Sequence, residues 1–122
     1  MTLGEKQRLF VSLIGKLIAW AYSNNYELSF GEAVRTKEQA AANANSGAGI
    51  SNSLHLIRLA VDLNLFVDSS VDIDDDIYQK DSSAYRPLGE YWKTLHPLCR
   101  WGGDFKGRPD GNHFSLEHNG VK

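Results

Sequence analysis

Apolar residues early in the chain recur at Leu9, Phe10, Leu13, Ile14, Leu17, Ile18 and Ala21, a spacing that gathers them on one stripe of a helix. It predicts a helix over about 5–22, ending in the turn-prone Ser23-Asn24-Asn25. Farther on the period drops to two. From Arg58 to Val67, Leu59, Val61, Leu63, Leu65 and Val67 fall on one face of a strand, and Arg58, Ala60, Asp62, Asn64 and Phe66 on the other. Between these segments, residues 26–34 alternate loosely and read as a strand. Thr36 with Gln39 forms a capping-box pattern that opens an alanine-rich helix over about 37–45, which dissolves into Asn45-Ser46-Gly47-Ala48-Gly49. Residues 85–98 read as a second amphipathic helix, with Pro87 near its start, Leu88, Tyr91, Trp92 and Leu95 on one face, and Pro97 arguing for its end. Residues 99–112 read as irregular. A short strand follows over 113–118, with Phe114 and Leu116 on one face and His113, Ser115 and Glu117 on the other. Helices interleaved with short strands, in no strand–helix–strand register, predict an α+β fold: one small domain over 1–122 with an antiparallel sheet flanked by helices.

Composition narrows the function classes. At 122 residues the chain can bury a core without disulfides or a structural metal. A net charge of −2 and a pI near 6.0 give no electrostatic footprint for nucleic acid. The single cysteine, Cys99, forms no internal disulfide and reads as a small buried hydrophobe. The apolar run 10–21 superficially suggests a signal peptide, but Lys16 interrupts it, its spacing is helical and it is too short to span a membrane. The expectation is a protein with neither secretion signal nor membrane insertion.

The candidate chemistry lies around the alternating strand. His55 stands at its approach, seven residues ahead of Asp62, and His113 opens the C-terminal strand. Two imidazoles and a carboxylate are a donor set for a catalytic zinc, which keeps its fourth position for water and lowers that water's pKa to about 7. If the two strands pair antiparallel, their non-core faces present these side chains to one cleft. Asp110, three residues before His113, is placed to act as general base, and Arg35 to hold a developing oxyanion. The residues alone leave this open, because a His-x6-Asp spacing also arises by chance. Asp72, Asp74 and Asp76 match the first ligand positions of a calcium loop, but Ile77 replaces the turn glycine and Ser83 the closing glutamate, so a solvated acidic loop is the expectation. His96 and His118 read as surface or capping residues, Trp92 and Trp101 as packing residues.

Ser53-x-His55-x4-Ala60-x-Asp62, then Trp101-Gly-Gly-Asp104, then Asp110-x-x-His113-Phe114 resembles the zinc D,D-carboxypeptidase and L-alanyl-D-glutamate endopeptidase family. These are VanY-like peptidoglycan metallopeptidases that include phage endolysins. The resemblance runs in order from Arg35 to Phe114. It implies a zinc cleft on the sheet with His55, Asp62 and His113 as zinc ligands, Asp110 as catalytic carboxylate, Arg35 polarising the scissile carbonyl and Ser53 near the substrate. It also implies a monomer acting on the stem peptide of peptidoglycan, made in a host cytoplasm and acting on the wall in the periplasm after release. L-Ala-D-Glu endopeptidase is the leading reading. D-Ala-D-Ala carboxypeptidase or dipeptidase activity on the same site stays open, as does a non-catalytic zinc-stabilised module that binds stem peptides. Two positions depart from the family pattern: Arg58 where many members have glycine, and Ser115 where a glutamate or glutamine is common.

Overall fold

Strict alternation gives β2 (Ala60–Asp68) two distinct faces, and both of its edges are paired. The structure, a computed structural model, describes residues 1–31, 54–68 and 76–122. β1 (Tyr26–Phe30) runs antiparallel along one edge, with Tyr26 opposite Val67 and Phe30 opposite Leu63. The other edge is shared. β5 (His113–Leu116) covers Ala60 to Asp62, and β3 (Asp76–Tyr78) covers Phe66 to Asp68, both antiparallel. Between them, Leu63 N–H donates to the Asn112 carbonyl at 2.9 Å and Leu65 N–H to the Tyr85 hydroxyl at 3.0 Å. That hydroxyl donates onward to the Gln79 carbonyl at 2.8 Å. Loop and side-chain acceptors thus satisfy the strand where no neighbouring strand reaches it. β4 (Cys99–Trp101) pairs with the far edge of β5, giving the order β1-β2-β5-β4 with β3 beside β2.

Two helices close the apolar face. α1 (Leu3–Ser23) starts at a capping box, Thr2 Oγ1 accepting from Glu5 N–H and Glu5 Oε1 from Thr2 N–H, each at 3.1 Å. Its buried stripe is Phe10, Leu13, Ile14, Leu17 and Ala21, as the spacing predicts. α2 (Arg86–Leu95) contributes Leu88 and Trp92. They form one core with Leu59, Val61, Leu63 and Leu65 of the central strand and its approach, and with Phe114 and Leu116 of β5. Trp92 sits at the centre, edge-on to Phe10 at 5.9 Å and to Phe114 at 6.2 Å. Its Nε1–H, which burial would otherwise strand, donates to the Arg100 and Ser115 carbonyls at 3.0 and 3.2 Å. Among the described residues no helix is long and apolar enough to cross a membrane.

Several boundaries differ from the sequence expectation. The central strand starts at Ala60, not Arg58, because Arg58 takes φ +59° and reverses the chain just before it. The second helix spans Arg86–Leu95 behind a 3-10 turn at Ser82–Tyr85, and stops before Pro97. Residues 99–101, expected to be irregular, are β4, since Cys99 pairs with Leu116 and Trp101 with Phe114. A three-residue strand is too short to show a period. The non-core side of β5 is not open to a cleft along its length: all four of its residues are buried. The helix expected over 37–45 and most of the acidic run 72–76 lie outside the described residues.

The connection from β4 to β5 is a rigid frame built on small residues. The Trp101 indole is buried, and a Cβ on Gly89 of α2 or on Gly103 would run into its ring. Its Nε1–H donates to the Gly111 carbonyl at 2.7 Å. A Cβ on Gly102 would overlap the Asp110 carbonyl and stand 2.8 Å from His113 Cβ. Asp110 N–H donates to the Gly102 carbonyl at 2.9 Å, His113 N–H to the Asp110 carbonyl at 3.1 Å, and Gly111 N–H to Ser82 Oγ at 2.9 Å. The Trp101-Gly-Gly and Asp110-x-x-His113 motifs are therefore two halves of one packed turn.

Gly102→Ala is expected to lower stability by about 1–3 kcal/mol, the usual cost of forcing atoms into a packed site. An unchanged urea midpoint would contradict this packing. Arg58→Gly is expected to be neutral or stabilising by up to about 1 kcal/mol, because only glycine adopts the left-handed region without strain. Arg58→Val, β-branched, is expected to cost about 1 kcal/mol or more there. Equal losses in the two variants would contradict a left-handed Arg58.

Candidate metal centre

Three separate elements deliver His55, Asp62 and His113 to one point. His55 rides on a 3-10 turn, Leu54–Ile57, anchored by buried Leu54. Leu59 N–H closes that turn onto the Leu54 carbonyl at 3.0 Å, and the Gln7 side-chain amide of α1 donates to the Ile57 carbonyl at 2.8 Å. Asp62 lies on the non-core face of β2, and its direct register partner across the ladder is His113. The alternation that sends Val61 and Leu63 into the core thus turns Asp62 the other way, towards the first residue of β5.

Asp62 Oδ1 lies 3.5 Å from His55 Nε2 and 3.6 Å from His113 Nδ1. One ligand atom from each residue can be chosen so that all three fall within 4.8 Å of one another. Among the described residues no other set of three or more His, Cys, Asp or Glu side chains converges in this way. His55 and His113 are buried, 3% and 8% exposed, and Asp62 Oδ1 is shut off from solvent without a hydrogen bond. A buried carboxylate oxygen without hydrogen bonds is costly unless something positive completes its surroundings. A tetrahedral ion with bonds of 2.0–2.2 Å spaces its ligands about 3.4 Å apart. The two Asp62 separations are too long for good hydrogen bonds and close to that edge length, and all three ligand atoms lie within 4.8 Å of one another, so the donor set fits an ion between these side chains.

The electrostatics agree with a carboxylate in its charged form. Burial raises the Asp62 pKa, but the facing His113 and His55 imidazoles more than offset it and hold it below the ordinary carboxylate value. The His55 and His113 rings meet edge-on at 5.4 Å, and Phe105 lies against His113 at the same centroid distance. On its outer side His113 Nε2 bonds to the Lys122 main-chain oxygen at 3.1 Å, which also accepts from Ser115 Oγ at 3.1 Å.

Of the remaining candidates, Asp110 has its peptide fixed in the turn before His113 and its side chain exposed. Arg35 and Ser53 lie outside the described residues, as do Asp72 and Asp74. His96 and His118 take no part in the cluster: His96 Nδ1 accepts from Leu98 N–H, and His118 Nδ1 meets Lys6 Nζ at 3.1 Å. Cys99 is 2% exposed, and burial pushes its thiol pKa up to about 12, the behaviour of a packing residue. Trp92 and Trp101 are buried in the core. Sequence reasoning missed Phe105, Ser82 and the Lys122 main-chain oxygen. The first two carry no periodic signal, and a main-chain oxygen has no sequence signature at all.

Three comparisons bear on this arrangement. A family model described as D-alanyl-D-alanine carboxypeptidase matches residues 46–116, a span that includes His55, Asp62, Asp110 and His113. An L-alanyl-D-glutamate peptidase of a Listeria phage is 35% identical over 110 residues, covering 87% of this chain. The match takes in 36% of that relative's length. The crystal structure of Serratia marcescens L-Ala D-Glu endopeptidase ChiX shares the fold, with a TM-score of 0.66 over 87% of this chain and 78% of that one, at 20% identity. With more than half of its length inside the family match, this chain belongs to the D-alanyl-D-alanine carboxypeptidase family of peptidases.

Proposed function

We propose that the chain is a zinc peptidase that hydrolyses a peptide bond in the stem peptide of bacterial peptidoglycan, as an L-Ala-D-Glu endopeptidase of the endolysin type. The observation that carries this reading is the convergence of His55 Nε2, Asp62 Oδ1 and His113 Nδ1 on one buried point. These three atoms would hold the zinc. A bound zinc supplies Lewis acidity, polarising a carbonyl and making water a nucleophile at neutral pH.

The chain's own residues supply the rest. Asp110 leaves the same turn that delivers His113, and it is exposed. Its carboxylate takes the proton of the attacking water and returns it to the leaving amine, so one group serves as base and then acid. Arg35 holds the negative charge that develops on the scissile carbonyl oxygen. Ser53 contacts the substrate beside His55. Burial of both imidazoles keeps bulk water from competing with the carboxylate for them.

Among relatives, the phage protein's name favours the bond between L-Ala and D-Glu, and the family description favours D-Ala-D-Ala. The two readings share one site and differ in their products. A module that merely binds stem peptides has no use for a base at Asp110.

Purified murein is expected to be solubilised by the protein, with activity abolished by a chelator and restored by zinc. Asp110→Ala is expected to lower the rate by about 10²–10⁴-fold, the usual worth of a general acid–base group. Equal digestion by wild type and variant, unaffected by chelator, would overturn the proposal. Mass spectrometry of the fragments is expected to show new L-Ala carboxyl termini and D-Glu amino termini. Release of free D-Ala alone would assign the carboxypeptidase reading instead.

A further inference from the structure

The last residues of the chain form a tight hairpin beside His113. His118 and Val121 exchange two backbone hydrogen bonds, His118 N–H to the Val121 carbonyl at 3.0 Å and Val121 N–H to the His118 carbonyl at 2.9 Å. The two residues between them, Asn119 and Gly120, take φ +50° and +79°, the left-handed pair that a two-residue hairpin of this kind requires. Val121 packs against the core, and Lys6 Nζ of α1 holds the Glu117 carbonyl and His118 Nδ1. The hairpin is thus tied down on both sides, and the main-chain oxygen of the next residue, Lys122, arrives 3.1 Å from His113 Nε2.

Both groups that face the His113 ring nitrogens only accept, the Lys122 main-chain oxygen at 3.1 Å from Nε2 and Asp62 Oδ1 at 3.6 Å from Nδ1. Only the first is within hydrogen-bond distance, so the geometry favours the Nε2–H form of a neutral His113 with the Nδ1 lone pair towards Asp62. Ser115 Oγ donates to the same oxygen at 3.1 Å and holds it in place from the adjacent position on β5. Ser115 is fully buried, and its hydroxyl acts on His113 through the oxygen that both side chains share. We propose that the hairpin 118–121 is a positioning element of the metal centre, delivering the Lys122 main-chain oxygen to His113 Nε2 and so fixing both the ring and its tautomer. The consequence for metal affinity rests on the zinc reading above; the tautomer does not.

Two readouts test this in wild type, in a chain ending at Glu117 and in Gly120→Val. A Cβ at Gly120 meets nothing within 4 Å, so that variant strains only the hairpin backbone. The first readout is the imidazole ¹⁵N spectrum of the metal-free protein in alkaline buffer. Wild-type His113 is expected as the Nε2–H form, with both variants shifting towards a mixture of tautomers. The second is the Zn²⁺ dissociation constant by chelator competition. It is expected to weaken by about 10–100-fold in the shortened chain, as for loss of a partner behind a metal-bound histidine, and by less in Gly120→Val. An Nδ1–H form in wild type, or a zinc affinity equal in all three proteins, would overturn the proposal. If the shortened chain does not fold, the wild-type tautomer and Gly120→Val decide. If wild type binds no zinc, the zinc reading fails and the tautomer still decides the hairpin's role.

Discussion

The register between β2 and β5 is the constraint on which the candidate centre depends. Asp62 opposes His113, and a slip of one residue would turn Asp62 into the core and put Val61 or Leu63 in its place. The hydrophobic effect enforces this register, because Val61, Leu63, Leu65, Phe114 and Leu116 all bury on the opposite face. The core on one face of the sheet therefore sets the geometry of the polar cluster on the other. His55 is added by a turn whose entry into β2 runs through a left-handed Arg58.

The elements that read clearly from the sequence are those long enough to show a period. The α1 stripe and the alternation of β2 carry most of the core and appear nearly residue for residue. The candidate cluster was legible because its three members sit at the ends of such elements: Asp62 on the polar face of a clear strand, His55 at its approach and His113 at the start of another. Arg58 reads as a strand residue because apolar alternation runs through it, but a backbone angle leaves no trace in a hydrophobic pattern. β4 gives no sequence signal because three residues cannot establish a period, and its pairing with β5 is a tertiary fact. The Trp101-Gly-Gly motif was visible as letters, but its reason appears only in three dimensions, where Gly102 makes room for the Asp110–His113 turn. Ser115 departs from the family pattern in the sequence, and its partner, the Lys122 main-chain oxygen, is brought beside it only by the fold.

Several parts of the molecule thus converge on His113 from outside its strand. Trp101 and Ser82 fix the turn before it, Phe105 lies against its ring, and the Lys122 main-chain oxygen bonds its outer nitrogen. Asp62, by contrast, is placed by strand register alone, and its Oδ1 makes no hydrogen bond. Such a division suits a site in which the carboxylate meets a cation and the imidazoles are held rigid to receive it. It also explains how a small core can support the centre: the same glycines and indole that pack the sheet set the site.

The most direct measurement is anomalous diffraction at the zinc absorption edge from crystals of the protein grown with the metal. The expected result is one peak bonded to His55 Nε2, an Asp62 oxygen and His113 Nδ1, at about 2.0–2.2 Å from each. The absence of a peak between these three side chains, or a zinc held elsewhere, would contradict the assignment of this cluster as the catalytic centre.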